Sequence, residues 1–193
     1  MGVDGRCRPI GGSEFTAAAK DSECMSQTRL ADEAKLSRLV DLYARAVDRG
    51  DRALLSSLFT NDATVNFGEM LSGGRDHFVE AIFGGTEQMH THHFMGNRLF
   101  AIDGNQAEGE IYSINSHFIP DPDGGRDYIA AGRYLDRYRR TSVGWRFVHR
   151  TRVIDWTHEG PHMPAGVAGV IVGRKRGDDL SITDFPLLAA ALQ

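Results

Sequence analysis

The chain has 193 residues, 41% of them hydrophobic and 25% charged, with a formal net charge of -4. Such a composition suits one globular domain with a real core. It excludes the basic field that nucleic acid or an anionic membrane demands, and no apolar run approaches the ~20 residues of a membrane span.

Both cysteines, Cys7 and Cys24, lie near the N-terminus. The rest of the chain therefore has no disulfide framework, no thiolate nucleophile and no cysteine-based zinc site, which fits a cytoplasmic protein. Residues 1–24 lack the apolar core of a signal peptide. The "GSEF" at Gly12–Phe15 is what adjacent BamHI and EcoRI cloning sites encode, and Met25 opens a more convincing start. Residues 1–28 are expected to form a disordered, largely cloning-derived tail ahead of one domain at 29–159.

Leu30 to Val47 reads as an amphipathic helix, with Leu36, Leu39, Val40, Tyr43 and Val47 at three- and four-residue steps. Gly50 can stop it, and Asp51 can N-cap the next helix, "RALLSSLF". Asn61-Asp62 reads as a turn, after which Ala63, Val65 and Phe67 alternate as a half-buried strand. "SGGRDHFVEAIFGG" reads as a short helix with Phe78, Ile82 and Phe83 on its apolar side.

From there the period changes to two. Strands are predicted at 91–102, 106–119, 127–140 and 145–157, separated by "DGNQ", "PDPDGG" and "TSVG". The order predicts an α+β fold: a cone-shaped α+β barrel whose curved antiparallel sheet and helices enclose a cavity suited to a small molecule. Residues 160–193 are less regular and are expected to be an extension packed on the barrel or on a neighbouring subunit. Within it, "AGVAGVIVG" reads as a short strand or an apolar arm.

The densest chemistry is "MHTHHFMGN", with His90, His92 and His93. On a strand, His90 and His92 share one face and His93 takes the other, so the three do not converge on one metal without a bulge. No metal is expected, and His90 and His92 read as neighbours without chemistry. Asp48 alone reads as a cap or turn residue. Tyr43 lies five positions before it, about 140° away on a straight helix, so convergence of the two needs helix-end geometry. In "GWRFVHRTR", alternation from Trp145 puts Arg146, Val148, Arg150 and Arg152 on one face, and Phe147 and His149 on the other. A solvated row of arginines is the simpler reading. His117 sits on a predicted strand, facing either the cavity or the core.

In order and spacing, three segments resemble the SnoaL-like branch of the nuclear transport factor 2-like superfamily. They are "LVDLYARAVDRGDRALLSSLFTNDATVNF", "THHFMGNRLFAIDGNQAEGEIYS" and "AAGRYLDRYRRTSVGWRFVHRTRVIDW", and together they span roughly residues 29–157. Within that branch the pattern is similar to scytalone dehydratase, bile-acid 7α-dehydratase and hexachlorocyclohexane dehydrochlorinase, cofactor-free lyases that use an Asp–His dyad. The resemblance implies Asp48 and His93 as that dyad, with Tyr43 and Arg150 as further catalytic groups. It turns His93 and Arg150 toward the cavity, and sets His117, Phe67, Asn97 and Trp156 as candidate substrate contacts. It implies a lyase of dehydratase or dehydrohalogenase type acting on a hydrophobic cyclic small molecule, with no cofactor and no metal. The same fold hosts steroid-type isomerases, polyketide cyclases and non-catalytic binding proteins, which are the alternatives. A homo-oligomer is expected, a trimer ahead of a dimer, with no nucleic-acid or membrane partner.

Overall fold

A computed structural model describes residues 17–86, 89–162 and 169–192. The chain order is α1 (Ala17–Arg49), α2 (Arg52–Ser57), β1 (Phe59–Asn66), β2 (Ser72–Gly74), α3 (Arg75–Thr86), β3 (His90–Asp103), β4 (Gln106–Ile119), β5 (Arg126–Thr141), β6 (Gly144–Pro161), α4 (Leu180–Thr183) and α5 (Pro186–Ala190). The strands form one six-stranded sheet in the order β2-β1-β6-β5-β4-β3.

The four long strands pair antiparallel, as their period-two pattern predicts. The sheet as a whole is mixed, because β1 joins β6 in parallel. It is open, with β2 and β3 at its edges. The helices α1 and α3 pack against it, and the core between them holds Leu36, Val40, Phe59, Phe78, Ile111 and Phe147.

Local signals account for most of the boundaries. Gly50, at φ 69°, ends α1, and the Asp51 carboxylate accepts the Leu54 N–H at 2.9 Å as the N-cap of α2. At the β3–β4 turn, Gly104 at φ 55° takes the left-handed geometry that a tight hairpin needs. Near the middle of α1, Asp32 is buried and accepts from both Arg140 and the Trp145 indole, tying the helix to the β5–β6 hairpin.

Two expectations need correction. Asn61 and Asp62 do not form a turn; they lie inside β1, where the register against β6 slips between Phe59 and Thr64. The extra residues bulge outward, Asn61 accepting from Arg75 and Asp62 from Arg139. The first helix also begins at Ala17, inside the segment expected to be disordered; the alanine-rich start favours helix. Residues 1–16, including Cys7, lie outside the described residues.

The C-terminal segment lies along the outward side of α1. Arg38 donates to the Ala191 carbonyl at 2.9 Å, Arg45 to the Ser181 hydroxyl at 2.9 Å, and Arg49 to the Arg174 carbonyl at 3.2 Å. These arginines are spaced by seven and four, which makes one stripe on the helix. Val170–Val172, the end of the apolar run, is exposed and forms no strand; residues 163–168 lie outside the described residues. Among the described residues, no helix is long and apolar enough to cross a membrane.

Candidate active site

The face of the sheet turned toward α1 carries a dense set of polar side chains. On β3, Thr91, His93 and Met95 point inward while His90 and His92 point out. Gly96 and Asn97 then stand together against Tyr112, and this bulge resets the alternation so that Arg98, Phe100 and Ile102 are inward.

Asp48 meets His93 across the gap. The carboxylate Oδ1 lies 2.7 Å from His93 Nδ1, and Oδ2 accepts the His93 backbone N–H at 2.9 Å. Thr91 donates its hydroxyl to Oδ1 at 2.9 Å. Both side chains of the pair are more than nine-tenths buried. Burial pushes the Asp48 pKa up, but the hydrogen bonds and charge of His93 outweigh it, and the group stays below the ordinary aspartate range. The carboxylate is therefore ionised at neutral pH. It fixes the imidazole through Nδ1 and leaves Nε2 as the nitrogen able to take a proton.

Tyr43 also reaches this face, although five residues separate it from Asp48. The end of α1 is enclosed on several sides: Tyr43, Ala44, Ala46, Val47 and Asp48 are all buried. Tyr43 faces the middle of the sheet, with its ring against Phe147 and Tyr134, while Asp48 faces the edge strand β3. His93 bridges the two directions, its ring edge-on to Tyr43 with centroids 6.4 Å apart. Burial drives the Tyr43 pKa well above its ordinary value, so its hydroxyl remains a proton-bearing donor.

Arg150 is fully buried, which corrects the solvated-row reading. In the β5–β6 ladder Phe147 opposes Tyr138 and His149 opposes Arg137, so Val148 is an extra residue. That bulge inverts the parity. Phe147 and Arg150 both turn inward, and His149 and Arg146 turn out. The Arg150 guanidinium makes a two-pronged pair with Asp136, at 2.7 Å from Nε and 2.7 Å from Nη2. It lies 3.9 Å from the Tyr43 ring centre and 4.2 Å from that of Tyr134. Desolvation alone would depress its pKa, but the Asp136 carboxylate reverses this and holds the cation firmly protonated.

His117 is on the same face, its ring 5.6 Å from that of His93. Burial, and then the charge of His93, lowers its pKa to about 4. At neutral pH it is an uncharged imidazole of low basicity. Phe67 packs beside the group, 6.2 Å from the Tyr134 ring.

The fold therefore gathers Asp48, His93, Tyr43, Arg150, His117 and Phe67 on one face. It does not bring Asn97 or Trp156 to them. Asn97 belongs to the outward half of the β3 bulge, and Trp156 pairs with Ala131 on the outer face and is half exposed. Asp155 is the extra residue of a second β6 bulge, which sends Trp156 outward. Among the described residues, no three His, Cys, Asp or Glu side chains are placed to hold a metal ion.

Asn115, Tyr134 and Asp136 had no signal in the sequence beyond their place on strands. Asn115 is directly opposite His93 in the β3–β4 ladder, is 4% exposed, and donates Nδ2–H to the Tyr134 hydroxyl at 2.9 Å.

Residues 28–151 match the SnoaL-like domain. The chain belongs to this family. Among solved structures, the SnoaL-like chain is similar to the hexachlorocyclohexane dehydrochlorinase LinA-type3 from Novosphingobium barchaimii LL02, at 16% identity and a TM-score of 0.63, over 76% of this chain and 99% of that one. It is similar to a scytalone dehydratase-like protein from Novosphingobium aromaticivorans DSM 12444, at 20% identity and a TM-score of 0.63, over 76% and 99%. It also resembles the Kfla4162 protein from Kribbella flavida, at 21% identity and a TM-score of 0.61, over 67% and 95%. At these identities the likeness establishes the α+β fold. No curated protein matches the chain.

Proposed function

We propose that this SnoaL-like protein is a cofactor-free lyase acting on a hydrophobic cyclic small molecule. His93 is its general base and Asp48 the group that orients it. The observation that carries this reading is the buried pair itself. One carboxylate holds the imidazole at Nδ1 and also accepts the backbone N–H of the same residue, so ring position and tautomer are both set.

In the reaction, His93 Nε2 takes a proton from a ring carbon. The C–H electron pair becomes the new C=C bond, and the β leaving group departs with its bonding pair. Asp48 remains anionic and stabilises the imidazolium while it lasts. Tyr43, kept protonated, donates a hydrogen bond to the departing group or to an enolate oxygen. Both Nε and Nη2 of Arg150 are engaged by Asp136, beneath the Tyr43 ring. Arg150 therefore acts as a positioning residue, through Tyr43.

The test is turnover by full-length protein, screened on steroid, aromatic-polyketide and halogenated alicyclic substrates. Asp48→Asn and His93→Ala should each abolish turnover without shifting the thermal melt by more than a few degrees. Normal turnover in either folded variant sinks the dyad. The same face would serve an isomerase or a polyketide cyclase if the product keeps all its atoms. Tight binding without consumption would indicate a binding protein.

We further propose a homo-oligomer, a trimer in preference to a dimer. Phe94, Ile114 and Trp156 lie in one cross-strand row on the outer face and are each about half exposed, which supports assembly through that face.

A further inference from the structure

Buried polar atoms in folded proteins are almost always hydrogen-bonded, and each exception calls for a partner that the protein itself does not supply. Among the described residues, four buried side-chain atoms have none: Arg98 Nε, Asn115 Oδ1, His117 Nδ1 and Arg150 Nη1. All four belong to side chains on the inward face of the sheet, which also carries His93. Asn115 is the cross-strand partner of His93, and His117, two residues further along β4, touches the His93 ring.

The chemistry of these atoms is restrictive. His117 leaves Nδ1 buried and unpartnered, and an imidazole nitrogen either accepts or donates according to its tautomer. The amide of Asn115 is anchored on Tyr134 at one end, and its other end is free whichever way the group is turned. A ligand that fills this face must bring a hydrogen-bonding atom to each. A ring hydroxyl suits both, since it donates and accepts. A chlorine substituent donates nothing and accepts poorly, so a halogenated ring would bury both groups unpaired, and a site built to bond a hydroxyl rejects the analogue without it.

We infer that Asn115 and His117 are specificity-determining residues that select a hydroxylated ring over its halogenated counterpart. This rests on the reading of the Asp48–His93 face as the substrate site, and it narrows that reading to elimination of water. The step then balances without a co-reactant. A ring C–H proton passes to His93 Nε2, the electron pair forms C=C and the C–O bond breaks. The proton held on His93 goes to the leaving oxygen to complete water, which restores the base.

The test separates selection from catalysis. Binding of 1,3-dihydroxynaphthalene and 1,3-dichloronaphthalene to the full chain is measured by isothermal titration or ligand-observed NMR. The wild-type protein should bind the dihydroxy compound at least tenfold more tightly. Asn115→Leu and His117→Phe should each remove about tenfold of that preference, and Asp48→Asn should keep it, because the dyad is not what reads the hydroxyls. A dichloro compound bound equally well, a dihydroxy compound not bound at millimolar concentration, or a preference intact in both substituted proteins overturns the proposal. If Asn115→Leu fails to fold, the His117→Phe ratio decides. Turnover by Asp48→Asn tests the dyad independently, so the two failures are distinguishable.

Discussion

Replacing His117 with glutamine should change how stability depends on pH. In the folded protein this imidazole is buried beside His93, and its pKa falls from 6.5 to about 4. Between those values the unfolded chain takes up a proton at this position that the folded chain refuses. Acidification therefore favours the unfolded state, and stability falls as pH drops from about 6.5 toward 4, then levels off once both states are protonated. Each pH unit of that gap is worth about 1.4 kcal/mol, so the full loss attributable to His117 is roughly 3 kcal/mol. This is a large fraction of the ~5–15 kcal/mol that holds a typical domain folded. Glutamine cannot titrate, so the variant should lack this component. The assay is urea denaturation of wild type and His117→Gln at pH 7, 6, 5 and 4.5. The difference between their unfolding free energies should move by roughly 2.5 kcal/mol in the variant's favour across the series, the rest of the loss falling below pH 4.5. A difference that stays constant with pH refutes the argument, whatever the absolute stabilities.

Asp136→Asn should destabilise the fold by about 3–5 kcal/mol in the same assay, because it leaves the Arg150 guanidinium buried without its counter-charge. Pairing Asp136→Leu with Arg150→Met should recover most of that loss, since no unpaired charge then remains. Asp51→Ala removes the N-cap of α2 and should cost about 1 kcal/mol, read as a lower urea midpoint with unchanged slope. Trp156→Lys should lower the molar mass measured by light scattering on a sizing column; an unchanged mass would remove the outer face from the assembly.

Much of the architecture is legible in the residues. The strands from His90 to Pro161 follow from period-two alternation between glycine-rich turns, and α1 follows from its three- and four-residue apolar steps. His93 separates from His90 and His92 by parity alone, since adjacent strand residues cannot share a face. Asp51 as a cap and Gly50 as a stop are local chemistry and needed no tertiary contact.

The departures in the sheet and at the site come from properties that belong to two segments at once. A bulge is an extra residue relative to a partner strand, so Val148, Gly96-Asn97 and Asp155 show nothing unusual until the ladder is known. Each one flips the faces beyond it, which is why Arg150 is a core cation rather than a surface one, and why Trp156 leaves the site. Asn115 is a plain strand residue until β3 brings His93 opposite and β5 brings Tyr134 within reach. Tyr43 and Asp48 look 140° apart on an isolated helix. They serve one site because the sheet and α3 bury the end of α1 on several sides. Alternation, capping and turn chemistry are read along one chain, whereas register, burial and the partner of each polar atom exist only between chain segments, and there the structure alone decided.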